Sequence, residues 1–284
     1  MFTTLDGKTV AEALYQKLLL EVSLLAAVPK LVVVMVGEDA ASQTYVRSKT
    51  KRSQDLGFLS DTVHLPPTTS EEDVVGVIRR LNTDPKVHGI LVQLPLPAGM
   101  SKHRVLGEIH PWKDVDGLHP ENAGLLFQGH PRFSPCTPAG ILEMLRFYSV
   151  PIAGRRVVVM GRSDIVGKPV AQLFLMNDAT VEIVHSKTAD LAAETSRADI
   201  LIAAVGKPRF VKPEMVAQGA VVVDVGIHRG QDGKLVGDVD FESVLPKVGA
   251  ISPVPGGVGP MTIAMLMKNL VAAARLQAGS RRLG

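Results

Sequence analysis

The sequence predicts an α/β protein of two domains flanking a cleft, and three observations carry that expectation. Short β-branched runs alternate with amphipathic stretches of helical length, which is the pattern of parallel strands joined by crossover helices. The chain has 284 residues, a length at which one hydrophobic core commonly gives way to two. Proline- and glycine-rich strings interrupt it, and neither helix nor strand should continue through them, because each proline lacks a donor and fixes its own φ.

In the first half the apolar runs place strands at 31–36, 59–65 and 89–93, with helices near 9–25, 40–56, 70–82 and 101–109. Thr69-Ser70-Glu71-Glu72-Asp73 supplies the capping hydroxyl and early acids of a helix start. In the second half strands are expected at 156–160, 180–184, 200–204, 221–225 and 250–252, with helices filling most of the intervals. The joints are Leu94-Pro95-Leu96-Pro97, Pro135-Cys136-Thr137-Pro138 and the string from Pro253 to Pro260. A boundary is expected around a helix at 138–148. A long apolar helix at 261–276 has no strand after it, so it is expected to return to the first domain. The expected division is therefore 1–143 plus 261–284 for an N-terminal three-layer α/β domain, and 144–260 for a second domain with a mostly parallel sheet.

Thirty-one basic and 28 acidic residues leave a net charge of +3. The cations are scattered, apart from Arg281-Arg282, which argues against nucleic acid and suits a small anionic ligand. A single cysteine, Cys136, excludes an intrachain disulfide and fits a reducing compartment. With no charged neighbour in Ser-Pro-Cys-Thr-Pro it reads as a packing residue. The start, Met1 to Asp6, lacks the basic-then-apolar order of a signal peptide. The longest apolar runs, at 31–36 and 200–205, fall far short of the roughly 20 residues that span a bilayer. A cytoplasmic protein with no membrane partner is expected. The eight histidines show no metal-ligand spacing, so no metal is implied.

Directly after the strand Val157-Val158-Val159-Met160 comes Gly161-Arg162-Ser163-Asp164-Ile165-Val166-Gly167-Lys168-Pro169. A glycine turn between strand and helix lets backbone N–H groups and the helix dipole face a pyrophosphate, as in a Rossmann-type domain. Ser163 replaces the usual second glycine and the last glycine is displaced by one place, so a plain tight turn stays the alternative. The end of the next strand, Val184-His185-Ser186-Lys187-Thr188, has no acid before Asp190. A carboxylate there would suit NAD and repel a 2′-phosphate, whereas Arg162, Ser186 and Lys187 offer it donors and charge. NADP is favoured. Gly226 and Ile227, after the strand Val223-Asp224-Val225, would bring backbone beside the nicotinamide.

In the first half, Tyr45 and Lys49 stand four apart on an expected helix and so share a face. A phenol beside a lysine suits proton transfer, although a helix rich in Lys and Arg is more often a solvated surface. Gln93 closes an apolar strand, at the carboxyl end where ligands of parallel sheets bind. Asp116 lies in the loop Pro111-Trp112-Lys113-Asp114-Val115-Asp116-Gly117, and a carboxylate accepts two parallel hydrogen bonds from adjacent amino and imino donors.

Tyr45-Val46-x-x-Lys49, Val92 to Pro97, Lys113 to Gly117, Pro135 to Pro138, Gly161 to Gly167, His185 to Thr188 and Pro253 to Thr262 run in one order across nearly the whole chain. Together they resemble the bifunctional methylenetetrahydrofolate dehydrogenase/methenyltetrahydrofolate cyclohydrolase family. The resemblance implies oxidation of 5,10-methylenetetrahydrofolate with NADP and hydrolysis of the methenyl product to 10-formyltetrahydrofolate, in a homodimer. It implies Lys49 as the acid/base group, Tyr45 against the folate, Gln93 holding Lys49 and Asp116 gripping the pterin. Pro255, Gly256, Gly257 and Val258 would wall the folate pocket, and Gly161, Arg162, Ser163, Ile165, Ser186, Gly226 and Ile227 would meet NADP. Asp164 and His228 depart from the family pattern, where Lys or Asn and Asn are more familiar. Two rivals stand beside this reading: a monofunctional dehydrogenase that accumulates the methenyl compound, and a dinucleotide-sensing protein without turnover.

Overall fold

The computed structural model describes residues 2–25, 27–230 and 233–280, so the Arg281-Arg282 pair lies outside the described residues. In chain order these form β1 (Thr3–Thr4), α1 (Gly7–Val22), β2 (Lys30–Val36), α2 (Ala40–Asp55), β3 (Leu59–Leu65), α3 (Glu71–Thr83), β4 (Gly89–Val92), α4 (Lys102–Gly107), α5 (Pro120–Phe127) and α6 (Cys136–Phe147). There follow β5 (Arg156–Met160), α7 (Gly167–Leu175), β6 (Thr180–Val184), α8 (Leu191–Thr195), β7 (Ile200–Ala203), β8 (Val221–Asp224), β9 (His228–Arg229), β10 (Leu235–Val236), α9 (Phe241–Val244), β11 (Ala250–Ile251) and α10 (Val258–Ser280). The chain divides into two compact units. One holds Leu14–Ser134 and the residues from Leu266 onward; the other holds the residues up to Ala13 and Pro135–Met265.

The first unit is built on three parallel strands in the order β3-β2-β4. Its central strand β2 is buried from Leu31 to Val36, as a strand covered on both faces requires, and its sequence is correspondingly apolar throughout. Helix α3 begins where its sequence signal stands: Ser70 Oγ accepts from the Asp73 N–H at 3.1 Å, a cap that contributes about 1 kcal/mol. Val74, Val77 and Ile78 then join Val32, Val34, Ile90 and Val92 in one core. The later half of α10 belongs to this unit. Asn269 Nδ2 donates to Val115 O (2.9 Å) and Ser134 O (3.0 Å), and Gln277 Nε2 donates to His88 O (2.8 Å).

The second unit carries a six-stranded, wholly parallel sheet in the order β1-β11-β8-β7-β5-β6. From β5 the chain crosses to β6 on one side and then returns to β7 on the other. The strand order thus reverses between β5 and β7, the place where loops at the carboxyl ends diverge and leave a crevice.

Several elements differ from the sequence expectation. Pro138 and Pro260 do not break regular structure; they stand in the first turns of α6 and α10, where the missing N–H has no intrahelical partner to lose. Between β8 and β11 the described residues form an antiparallel pair, β9 and β10, then a four-residue helix and a 3-10 turn at Leu245–Lys247. Glycines at 226, 230, 233 and 237 deny that stretch a helical run. Helix α5 and strand β1 had no apolar period long enough to announce them. The division itself differs in three stretches of the expected N-terminal domain, since the residues up to Ala13, 135–143 and 261–265 belong to the unit of the larger sheet. Thr3 and Thr4 pair with β11 in the larger sheet, and α6 lies against α7 in the same unit.

Candidate functional site

Helix α2 follows β2, the middle strand of its sheet, and carries Tyr45 and Lys49 one turn apart. The Lys49 ammonium is 4.6 Å from the Tyr45 ring centroid, within cation–π range. It also donates to Gln93 Oε1 at 3.0 Å. Gln93 is the first residue beyond β4, and its own Nε2 donates to Leu94 O at 2.7 Å, which turns the amide so that oxygen faces the lysine. Lys49 is only 5% exposed, a burial that an ammonium tolerates when its hydrogens are accepted. The surface-helix alternative for Lys49 does not describe this side chain.

The loop before α5 sorts its residues by task. Lys113 Nζ donates to the carbonyls of Leu81, Asn82 and Asp84 and so ties the end of α3. Asp114 is buried and accepts from the N–H groups of Leu118 and His119 and from Asn122 Nδ2. Burial pushes its carboxyl above the usual range, against these three donors. Val115 is fully buried, and Gly117 holds a φ of +72°. Asp116 alone of the five keeps a half-exposed side chain. A parallel bridge between Ile90 and Asp114 sets it level with the end of β4, the end that carries Gln93.

In the other unit the loops after β5, β6, β7 and β8 all leave the same carboxyl edge, as parallel strands require. Gly161 has a φ of +122°, and a Cβ on it would meet Ala204 O at 2.2 Å. A Cβ on Gly167 would meet Gly161 O at the same distance, so both glycines are imposed by backbone approach. The intervening serine changes the expected chemistry. Ser163 Oγ accepts from the N–H groups of Val166 and Gly167, each at 3.2 Å, and Ser163 O accepts from Lys168 N at 3.0 Å. The first N–H groups of α7 are thus satisfied by the loop itself, because a hydroxyl stands where a second glycine would leave them open. Arg162 is exposed, and Ile165 is half-buried.

Gly161 N donates to Val184 O at 2.8 Å, which draws this turn beside the loop after β6. That loop is a tight turn: Thr188 Oγ1 accepts from His185 N, and His185 Nδ1 accepts from Lys187 N. Ser186 and Lys187 are left exposed. The nearest acid, Asp190, accepts from Ala193 N as the cap of α8. The donor set at this corner is therefore cationic and hydroxylic, which fits a 2′-phosphate.

Beyond β8, Ile227 is 62% exposed, while Gly226 is fixed from behind, since a Cβ there would meet the Asp238 carboxylate at 2.3 Å. In the loop before α10, Pro255 and Gly256 face outward, with Gly256 at φ +112°, but Gly257 and Val258 are buried. The expected wall thus exposes two of its four residues.

Sequence reasoning missed a pair of buried acids at this edge. Asp238 accepts from three successive N–H groups, Val205, Gly206 and Lys207, and lies 2.7 Å from His228 Nε2. Asp224 accepts from the N–H groups of Gly226, Asp238 and Val239, and burial pushes its pKa up to about 6. Together they fix the loops after β7 and β8. The available signal was Gly226, Gly237 and two acids spaced fourteen apart, which only a folded backbone makes meaningful. Cys136 is buried and 1% exposed. Among the described residues no group of His, Cys, Asp or Glu side chains could hold a metal ion, and no helix is long and apolar enough to cross a membrane.

Two family models match. One, described as the tetrahydrofolate dehydrogenase/cyclohydrolase catalytic domain, covers residues 5–116. The other, the NAD(P)-binding domain of the same description, covers residues 135–278. A bifunctional protein FolD of Exiguobacterium sibiricum is 54% identical over 278 residues, spanning 97% of this chain and 100% of the relative. The FolD methylenetetrahydrofolate dehydrogenase/cyclohydrolase of Campylobacter jejuni superposes with a TM-score of 0.95 at 44% identity, covering 97% of this chain and 99% of that one. The Trypanosoma brucei enzyme, complexed with NADP and an inhibitor, gives a TM-score of 0.93 at 40% identity over 98% of each chain.

Proposed function

The chain belongs to the tetrahydrofolate dehydrogenase/cyclohydrolase family, and from that premise we propose how its own residues divide the work. The protein is a bifunctional enzyme of one-carbon folate metabolism: it oxidises 5,10-methylenetetrahydrofolate with NADP and hydrolyses the methenyl product to 10-formyltetrahydrofolate. The single observation that carries the residue assignment is the cluster in which half-buried Gln93 accepts from the buried Lys49 ammonium, which also lies against the ring of half-buried Tyr45.

NADP, when bound, accepts the hydride lost from the methylene carbon. The protein's part in that step is placement, which lowers a barrier by supplying orientation in advance. Arg162, Ser163 and Ser186 bind the phosphate-bearing end through charge and hydroxyl donors. Gly161 and Gly226 let backbone come close, with Ile165 and Ile227 as apolar contacts. Asp116 accepts two hydrogen bonds from the pterin, and Tyr45 lies against its ring system.

In the hydrolytic step water adds to the cationic methenyl carbon, the bond to N5 breaks and the formyl group stays on N10. Lys49 holds and returns the protons that these changes require. Its fixed position matters because a general acid must lie within hydrogen-bond reach of the atom it serves. Gln93 is the positioning residue. We take the enzyme to act in the cytoplasm as a homodimer, as the family resemblance implies.

The test is to follow formation and disappearance of the methenyl compound separately. Lys49→Ala is expected to abolish hydrolysis while NADP affinity stays within a few-fold, so that the methenyl compound accumulates. Loss of NADP binding in that variant would overturn the assignment.

A further inference from the structure

Helix α2 has a second functional-looking face. Tyr45 and Lys49 reach toward the β4 side of the sheet, where Gln93 receives the ammonium. On the opposite side of β2, between α2 and the edge strand β3, lies a cavity of about 410 Å³ lined by Met35, Gln43, Val46, Arg47, Thr50, Lys51, Gln54, Thr62 and His64. That volume falls in the range of small-molecule sites.

Its lining carries two cations and no acid. Arg47 and Lys51 are exposed, stand four residues apart on one helical face, and have no ion pair among the described residues. The nearby acid on β3, Asp61, is engaged by Lys30 at 2.7 Å. Gln43, Gln54 and Thr62 add amide and hydroxyl groups, and His64 donates Nε2–H to Gly37 O at 2.7 Å. The floor is apolar, formed by the buried Met35 and Val46.

One further feature is costly unless something polar enters. Edge strand β3 turns Ser60, Thr62 and His64 to the cavity side, with Thr62 and His64 open to solvent. In the same layer the hydroxyl oxygens of Thr50, Ser53 and Ser60 are buried and have no hydrogen-bond partner among the described residues. Thr50 lines the cavity itself.

We propose that this cavity is a second ligand site, distinct from the folate residues, for a small organic phosphate: Arg47 and Lys51 take the phosphate, Thr50 and Gln54 donate to it, and Met35 and Val46 receive the organic part. Guanidinium and ammonium groups side by side suit phosphate oxygens, and the cavity is larger than a bare phosphate needs.

The experiment titrates phenyl phosphate into the full-length protein saturated with NADP, so that the dinucleotide site is already filled. Amide signals of α2 and β3 are followed by NMR at constant ionic strength, with inorganic phosphate and citrate as parallel arms. Saturable shifts confined to α2 and β3 are expected, with phenyl phosphate tighter than inorganic phosphate and citrate. Arg47→Ala and Lys51→Ala should each weaken binding roughly tenfold, and Thr50→Val should weaken it while the protein stays folded. NADP affinity and dehydrogenase rate should not change in any of them. Absence of saturable shifts, citrate binding tighter than phenyl phosphate, or affinities unmoved by all three substitutions would overturn the proposal.

Discussion

Replacing Gln93 with methionine probes the triad without touching either of the groups proposed to meet substrate through charge. Methionine keeps the length and bulk of the side chain but removes the carbamoyl oxygen that lies 3.0 Å from Lys49 Nζ. The lysine is 5% exposed, so water does not readily replace that acceptor. A hydrogen bond to a charged group is worth about 1.5–3 kcal/mol. If it positions the ammonium in the transition state, its loss lowers the hydrolytic kcat roughly 10- to 160-fold, at about 1.4 kcal/mol per tenfold. The assay measures NADPH formation and methenyl decay in separate reactions, across a range of folate concentrations. The expected result is a hydrolytic kcat lowered by that factor, a folate KM within a few-fold, and unchanged NADP affinity. Gln93→Glu, which retains an acceptor at the same place, should recover part of the loss. Equal losses in both reactions with a raised KM would refute the reasoning, since Gln93 would then act as a general contact or a structural prop.

Gly161→Ala should destabilise the protein by about 2–4 kcal/mol in denaturant titration, because a Cβ would stand 2.2 Å from Ala204 O at a φ of +122°; unaltered stability would mean that the turn relaxes freely. Arg162→Ala should weaken NADP far more than NAD, as read by binding titrations, and equal effects on both would remove Arg162 from the 2′-phosphate. Asp224 gives a pH dependence whose sign follows from its raised pKa. Its carboxyl titrates near 3.8 when unfolded and at about 6 when folded, so between these values the native state keeps a proton that the unfolded chain has lost. Its contribution is fully present below 3.8 and is lost as pH rises through 6, roughly 3 kcal/mol in all. The stability of the parent relative to Asp224→Asn, measured by urea unfolding, should fall by about that amount between pH 4 and 7, and a flat difference would refute it.

The long strands and helices were legible because each is announced by a period. β2 is a continuous apolar run, and α3 opens on a serine followed by three acids. Elements without a period were not: β1 has two residues, and the β9–β10 pair lies among glycines. The prolines misled for a related reason, since the rule that proline ends a helix does not hold in its first turn, where Pro138 and Pro260 stand.

The candidate site divides in the same way. Residue type and spacing singled out Tyr45, Lys49, Gln93 and Asp116, and the glycine turn at 161, as candidates, because each sits where a strand ends or a helix turn repeats; the family resemblance supplied their expected roles. Which of two neighbouring acids is available was not in the string. Asp114 and Asp116 are two places apart, yet one is buried under three donors and the other keeps a half-exposed side chain. Likewise only folding revealed that Ser163 caps its own helix, that Gly257 and Val258 are covered, and that Asp224 and Asp238 organise the loops after β7 and β8. The sequence by itself determined the fold class and the chemically able residues, since these depend on local periodicity and residue type, and its motifs in their order carried the family resemblance. The tertiary structure decided which polar groups are consumed in holding the backbone and which remain to meet a ligand, because partners are assigned by distance in space, and residues such as Lys49 and Gln93, 44 positions apart, become neighbours only when β2, α2 and β4 assemble.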